Sequence, residues 1–166
     1  MKTSSLLNGH SFVVDAMVII NFHSCCVLDK LSNWLFGRII IAKEVKREII
    51  KKPSLSGSVN LEEYLKNGAM IEREIEGEEQ EELFYEYYQS KLNGTSLHVG
   101  EAACLALAIL TDYGLLCDEK IVLNEFKSKC PQKVCMNSWG LIGEAVKVGL
   151  IEKKESDDLK KGFYWG

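Results

Sequence analysis

The chain has 166 residues, of which 46% are hydrophobic and 27% charged, the balance of a water-soluble globular protein. This length predicts a single domain over residues 1–166, and no apolar run approaches the roughly 18 residues that a membrane helix requires. The net charge of −4 excludes a strongly basic nucleic-acid binder. Residues 1–10 carry no long apolar segment typical of a signal peptide, so a cytoplasmic protein is expected.

The charges and the cysteines are distributed unevenly. Residues 72–86 hold eight Glu and one Arg, a net charge of −7, so the remainder of the chain carries +3. A Glu-rich run of this kind is usually a solvated helix face. The six cysteines make no C-x-x-C motif and no zinc-type spacing, which indicates buried thiols in a reducing compartment.

Strand and helix patterns alternate from the first third of the chain onwards. After a loose lead-in over residues 1–11, we predict a strand over 12–15, helices over 16–22 and 29–36, a strand over 38–42 and a helix over 43–52 ended by Pro53. A loop over 54–58, a helix over 61–66 and an edge strand over 69–71 follow. The positions predicted to face the core are Leu28, Leu31, Leu35, Phe36, Val45, Ile49 and Ile50.

The same alternation continues to the C-terminus. We predict a helix over 78–91 with Leu83, Phe84, Tyr87 and Tyr88 inward, a break over 93–96, a helix from Gly100 to Leu110 that is buried nearly all round, and a strand over 115–117. A helix over 119–129, a strand over 133–136, a helix over 138–148 with an N-cap at Asn137-Ser138 and a short helix over 157–161 complete the chain, with Phe163, Tyr164 and Trp165 packing back. The pattern predicts an α/β fold with a parallel sheet between two layers of helices.

Carboxylates stand where several of these elements end or begin. Asp15 ends the first predicted strand, Asp118 and Glu119 follow Leu115-Leu116-Cys117, and Glu101 opens the buried helix. If the two strands are neighbours, these acids converge within about 5–8 Å, where like charges repel and a divalent cation is the natural remedy. Oxygen ligands of this kind suit Mg²⁺ or Mn²⁺, and such an ion supports phosphodiester hydrolysis.

Each acid also has a structural explanation. An Asp at a strand end is often only a turn or cap residue, and Glu101 and Glu119 are favoured by the helix dipole whatever their function. Glu48 lies on one face of its helix with Glu44, which fits a solvated face or an outer role better than direct metal ligation. His23 and His98 stand in no recognisable arrangement with Ser or Cys.

The motifs together resemble the PIN-domain family of metal-dependent nucleases. The matching stretches are Val13-Val14-Asp15, Glu48 within the helix 44–49, Gly100-Glu101-Ala102, and Leu115 to Glu119. Val134 to Ile151, with Trp139-Gly140-Leu141-Ile142, resembles the last strand and helix of the branch that contains predicted nucleic-acid-binding proteins and VapC-like toxins. The resemblance covers roughly residues 11–151 and leaves 152–166 as an extension.

The resemblance implies a three-layer α/β/α fold with a mainly parallel central sheet, Mg²⁺ or Mn²⁺ at the acids, and cleavage of single-stranded RNA. Many relatives are toxins held by a small antitoxin protein, and many form dimers, so an antitoxin partner and a homodimer are expected. Carried over, Asp15, Glu101 and Asp118 are catalytic metal ligands, Glu119 is an auxiliary ligand, and Glu48 is a ligand or an outer acid. The nearest cations for RNA contact are Lys120, Lys127 and Lys129.

Two departures leave alternatives open. Relatives usually have a small hydroxyl or amide residue shortly after the first acid, where this chain has Ala16 and Met17, and they often have Asp-Asp where it has Asp118-Glu119. An inactive PIN fold that binds RNA or a protein is therefore the second hypothesis. A phosphatase with a nucleophilic Asp is the third, but it would require a second Asp two residues later, where Met17 stands.

Overall fold

The protein is described by a computed structural model over residues 5–52, 56–89, 91–92 and 94–163, with the backbone alone at Lys91. The strands are β1 (Phe12–Val14), β2 (Ile39–Ala42), β3 (Met70–Arg73), β4 (Lys91–Leu92), β5 (Thr95–Ser96), β6 (Gly114–Leu116) and β7 (Cys135–Met136). The helices are α1 (Ala16–Ser24), α2 (Leu28–Trp34), α3 (Lys43–Lys51), α4 (Leu61–Lys66), α5 (Gly77–Gln89), α6 (Val99–Ile109), α7 (Lys120–Lys129), α8 (Ser138–Lys147) and α9 (Lys153–Lys161).

Five parallel strands form the central sheet in the order β3-β2-β1-β6-β7, with helices flanking it in a three-layer α/β/α arrangement. This confirms the predicted fold class. Strand β1 lies between β2 and β6, and Val13 is in register with Ile40 on one side and Leu115 on the other. The carboxyl ends of β1 and β6 therefore meet at one edge of the sheet, which is where α/β folds place their working residues.

The centre of the sheet forms because its three inner strands are short, apolar and covered on both faces. Every residue of β1, β2 and β6 is buried. Helix α6 is buried at each position from Gly100 to Ala108, as its run of apolar residues predicts. Burial of each large core side chain, such as Phe12 or Phe126, contributes about 1.5–3 kcal/mol. None of the described helices has the length and apolarity needed to cross a membrane.

Three side chains predicted to face the core are instead exposed: Phe36, Ile50 and Tyr88. Helix α2 ends at Trp34, so Phe36 stands beyond it and no longer follows the helical repeat. Helix α3 buries Val45 and Ile49, which are four residues apart, and Ile50 lies about 100° further round the helix. Helix α5 buries Tyr87, and its neighbour Tyr88 is turned away from the core in the same manner.

Other predictions need correction at the boundaries of elements. Helix α5 ends at Gln89, and the chain then forms a small antiparallel pair of β4 with β5 instead of a simple break. Helix α9 begins at Lys153, four residues before the predicted start. The prediction of a loose N-terminal segment over residues 1–11 is wrong at residues 5–7. Ser5 Oγ and the Leu6 N–H donate hydrogen bonds to the Glu144 carboxylate, and Leu7 is fully buried.

The remaining predictions on caps and cysteines have mixed outcomes. The predicted cap of α8 is confirmed, since the Asn137 side chain accepts a hydrogen bond from the Gly140 N–H. Cys104 and Cys117 are buried thiols as predicted, whereas Cys26 is exposed. The helix end at Pro53, part of the loop 54–58, part of the break 93–96 and the packing of Tyr164 and Trp165 lie outside the described residues.

Candidate metal centre

Asp15 lies directly after β1, and its carboxylate is buried at the edge where β1 and β6 meet. The backbone places it there, because the Asp15 N–H donates to the Leu116 carbonyl at 2.9 Å. The only side-chain donors to its carboxylate among the described residues are weak: Cys117 Sγ lies 3.5 Å from Oδ2 and Cys104 Sγ 3.9 Å from Oδ1. Burial, together with the smaller effects of the Glu48 and Glu101 charges, raises the pKa of Asp15 to about 7.

Glu48, on the second turn of α3, reaches the same space beside the start of α6. A Cβ atom at Gly100 would lie 2.9 Å from Glu48 Oε2 and 3.9 Å from Asp15 Oδ1, so both carboxylates face this glycine. The other oxygen of Glu48, Oε1, forms an ion pair with Lys52 Nζ at 3.1 Å, and Lys52 lies four residues further along the chain. A larger residue at position 100 would displace Glu48, which gives the glycine a physical role in the arrangement.

Glu101 is buried in the first turn of α6, and its Oε1 accepts a hydrogen bond from the His98 N–H at 2.8 Å. This contact is one half of a capping box, because the third residue of the helix bonds back to the residue before it. Burial raises the pKa of Glu101, and the charges of Glu119 and Glu48 act in the same direction. Glu101 is therefore electrostatically linked to Glu48 on one side and to Glu119 on the other.

Asp118 follows β6 but directs its carboxylate toward α1 and α8. Oδ1 accepts from the Ser138 N–H at 2.6 Å, and Oδ2 accepts from Ser138 Oγ at 2.6 Å and from Asn21 Nδ2 at 2.9 Å. The first turn of α8 thus receives an anion at its positive end. Burial raises the pKa of Asp118, while these hydrogen bonds oppose the rise.

The other predicted site residues lie on α7 or at its start. Glu119 is the exposed N-cap residue of α7, within electrostatic reach of Glu101. Lys120, in the first turn, and Lys127 and Lys129, in the last turn, are exposed. Burial raises the pKa of the Cys135 thiol, at the beginning of β7, and the nearby charge of Lys127 opposes part of this rise.

The acids have the right chemistry for a hard cation but do not close around one. Among the described residues, no group of three or more His, Cys, Asp or Glu side chains stands close enough together to hold a metal ion. Asp15 nevertheless combines burial, weak donors and two nearby like charges, a combination that a divalent cation with oxygen ligands would relieve. The chemistry of these carboxylate donors therefore fits Mg²⁺ or Mn²⁺, although their separation in this structure does not enclose an ion.

Sequence reasoning missed four residues that surround these acids: Asn21, Cys104, Cys117 and Ser138. Asn21 is the one polar residue between Ala16 and Phe22, and this isolated position in an apolar helix was the available signal. Cys104 lies three residues after Glu101, one turn along the same helix. Ser138 was read only as part of a helix cap, although its N–H and hydroxyl both hold Asp118.

Comparison with known families gives one finding. The model of the family DUF3368, a PIN domain, matches residues 11–157, which is most of the chain. No curated protein and no solved structure matches the chain significantly.

Proposed function

The chain belongs to the PIN-domain family, and from this premise we propose that it is a Mg²⁺- or Mn²⁺-dependent endoribonuclease that cleaves single-stranded RNA. PIN domains are generally nucleases, so the family supports the reaction class. The observation that supports the proposal for this chain most strongly is the environment of the Asp15 carboxylate. Its carboxylate is buried at the carboxyl edge of the sheet, receives only weak side-chain donors and is flanked by the acids Glu48 and Glu101.

The chain's own residues have distinct tasks in this mechanism. Asp15, Glu48 and Glu101 would hold the cation, and Gly100 leaves the space in which Glu48 approaches Asp15. A divalent ion bound there would polarise a phosphodiester oxygen and lower the pKa of a water molecule. The His98 N–H fixes the Glu101 carboxylate in one orientation, so that this acid does not have to be ordered when the site fills.

Asp118 has a different task, because its three hydrogen bonds connect α1, β6 and α8 at the edge of the site. One carboxylate oxygen still has capacity for a further partner, since a carboxylate accepts about four hydrogen bonds. Asp118 can thus contribute to the site while it positions the start of α8. Its role as a catalytic metal ligand, with Glu119 as an auxiliary ligand, is part of the proposal.

The cellular role follows the family branch that the sequence resembles. We propose that the chain is the toxin of a toxin–antitoxin pair in the cytoplasm, acting as a homodimer that a small antitoxin protein restrains. A growth assay tests this directly: expression of the chain should arrest growth, and Asp15→Asn should not. Normal growth on expression of the active chain would contradict the proposed toxin role without contradicting the proposed nuclease activity.

The second candidate is an inactive PIN fold that binds RNA or a protein. It is favoured by the absence, among the described side chains, of three acids close enough for a metal ion, and by the hydrogen bonds that occupy Asp118. An inactive fold of this kind need not bind Mn²⁺, whereas the nuclease must.

The proposal is tested by incubating labelled single-stranded RNA with the purified chain in Mn²⁺, Mg²⁺ or EDTA. We expect cleavage with Mn²⁺ or Mg²⁺, none in EDTA, and a loss of about 10²-fold or more in Asp15→Asn and Asp118→Asn. Asp112→Asn is the matched control, because Asp112 is an exposed turn residue. Full activity in Asp15→Asn, or no cleavage by the wild-type chain on any single-stranded RNA, would overturn the proposal.

A further inference from the structure

We propose that the groove lined by α3 and the start of α6 binds the phosphate backbone of single-stranded RNA, with Arg47 and Lys51 as its phosphate contacts. This inference rests on the proposed function, because it supplies the substrate path for the same acids. The groove has a volume of about 520 Å³ and is lined by Glu44, Arg47, Glu48, Lys51, Lys52 and His98. It therefore contains Glu48, one of the acids of the site, and continues away from it along α3.

One face of α3 brings acids and cations into the same groove. Glu44, Arg47, Glu48 and Lys51 are spaced at three and four residues, so their side chains form a row on one side of the helix. Within this row the acids lie toward the sheet edge and Lys51 lies in the last turn. A chain of phosphates along this row would have one phosphate at the divalent cation proposed beside Glu48, and further ones beside Arg47 and Lys51.

The two cations of this row are free to meet a ligand. Neither Arg47 nor Lys51 makes an ion pair or hydrogen bond with another described residue, and both are exposed. The other cations of residues 43–52 are engaged: Lys43 with Glu74, Lys46 with Glu62 and Glu72, and Lys52 with Glu48. Arginine and lysine that point into a groove without a protein partner are suited to phosphate oxygens.

The remaining lining offers contacts for the rest of a nucleotide. Val99 lines the same groove and is 42% exposed, so its apolar side chain is accessible there. The His98 side chain lies beside it, while its backbone N–H is used by Glu101. An unstacked base can pack on an apolar side chain or an imidazole, a contact that a single strand permits and a duplex does not.

The geometry favours α3 over Lys127 and Lys129 of α7 as the source of phosphate contacts. Strands β6 and β7 are parallel, so α7 runs from the carboxyl edge of the sheet back toward the opposite edge. Its length of ten residues corresponds to about 15 Å, which separates its last turn, with Lys127 and Lys129, from its start beside the acids. The position of Lys127 near Cys135, at the beginning of β7, agrees with this direction.

Two double variants with the same change in charge test the inference. Arg47→Gln with Lys51→Gln removes the proposed contacts, and Lys127→Gln with Lys129→Gln removes two exposed cations from the end of α7. Gln retains the helix propensity of Arg and Lys, so both variants should fold, which thermal melting checks. The affinity for a labelled 12-nucleotide single-stranded RNA is measured by fluorescence anisotropy in EDTA, which stops metal-dependent cleavage, over a series of salt concentrations.

We expect the α3 variant to bind about tenfold more weakly at low salt, and the slope of log affinity against log salt to shrink by about 1.4, or 0.7 for each lost phosphate contact. The α7 variant should match the wild type in both quantities. Equal binding by wild type and the α3 variant, or a loss confined to the α7 variant, would overturn the inference.

The binding and cleavage results separate this inference from the proposed function. Cleavage by the wild-type chain together with unchanged RNA affinity in the α3 variant would refute RNA binding in this groove, while the proposed nuclease activity would still hold. RNA binding that depends on Arg47 and Lys51, without any metal-dependent cleavage, would support RNA binding in the groove and refute the nuclease activity. The chain would then be a PIN fold that binds RNA without cleaving it.

Discussion

The carboxylate of Asp15 lies between the thiols of Cys104 and Cys117, while Ala16 and Met17, which follow it in the sequence, offer no side-chain donor. The two cysteines are 89 and 102 residues away along the chain. Thiols are weak hydrogen-bond donors, so they stabilise the ionised carboxylate less than a hydroxyl would. The sequence shows that Ala16 and Met17 supply no hydroxyl group to Asp15. It could not predict the contacts of Asp15 with the two cysteines, because these residues are far away along the chain.

The raised pKa of Asp15 predicts how stability depends on pH in the absence of metal. Between its unfolded value of 3.8 and its folded value of about 7, the folded chain holds a proton that the unfolded chain has lost. The free energy of unfolding therefore falls as pH rises through this window, by a few kcal/mol at most, and Asp15 adds no further change above it. Urea unfolding between pH 5 and 8 should show this decline, and Asp15→Asn should flatten it. An unchanged pH dependence in the variant would contradict the assignment.

Gly100 allows the approach of Glu48 to Asp15, which gives a second prediction for a single residue. In Gly100→Ala the new methyl group would meet Glu48 Oε2 at 2.9 Å, and this flexible side chain would move away. We expect Mn²⁺ affinity to fall about tenfold, which corresponds to about 1.4 kcal/mol, while the fold persists. Gly143→Ala is the matched control, because a Cβ atom there meets nothing within 4 Å. Equal Mn²⁺ affinity in both variants would show that Gly100 does not position Glu48.

At the scale of elements, the places of the sheet strands along the chain were predictable, because β1, β2 and β6 are short apolar runs bounded by polar residues. The position of β1 between β2 and β6 was left open by the sequence and is fixed by pairing of strands about 27 and 102 residues apart. Helix faces were predicted less well where aromatic residues follow one another. In α5 the run from Phe84 to Tyr88 has apolar rings on more than one side, so the pattern alone did not identify the buried one.

The corrected face of α5 is testable with two conservative variants. The hydroxyl of buried Tyr87 donates to Glu125 Oε2 at 2.7 Å and joins α5 to α7, whereas Tyr88 is 47% exposed. Tyr87→Phe should lower the free energy of unfolding by about 1.5–3 kcal/mol, because a bond to a charged acceptor is lost. Tyr88→Phe should change it by less than about 0.5 kcal/mol. Urea unfolding measures both, and a larger effect at Tyr88 would restore the original prediction for this face.

At the scale of the whole molecule, the densest acidic segment and the densest cationic segment lie on different elements. The Glu-rich segment 72–86 occupies β3 and α5, while the ten residues 43–52 hold five cationic and two acidic side chains on and just after α3. The sequence showed this acidic segment, and it predicted that Asp15 and Asp118 would each follow a strand, without showing that the two strands are neighbours. It could not show that Asp118 turns toward α8, because that orientation depends on Asn21 and Ser138 from two other elements.

Calorimetric titration of the purified chain with Mn²⁺ at pH 8, where Asp15 is ionised, tests the metal site itself. We expect one Mn²⁺ per chain and an affinity that falls at least tenfold in Asp15→Asn, because the variant loses a charged ligand at the centre of the acids. Asp112→Asn, an exposed turn variant with the same chemical change, should bind as the wild type does. A wild-type chain that binds no Mn²⁺ at millimolar concentration, or an Asp15→Asn variant with unchanged affinity, would contradict the metal site.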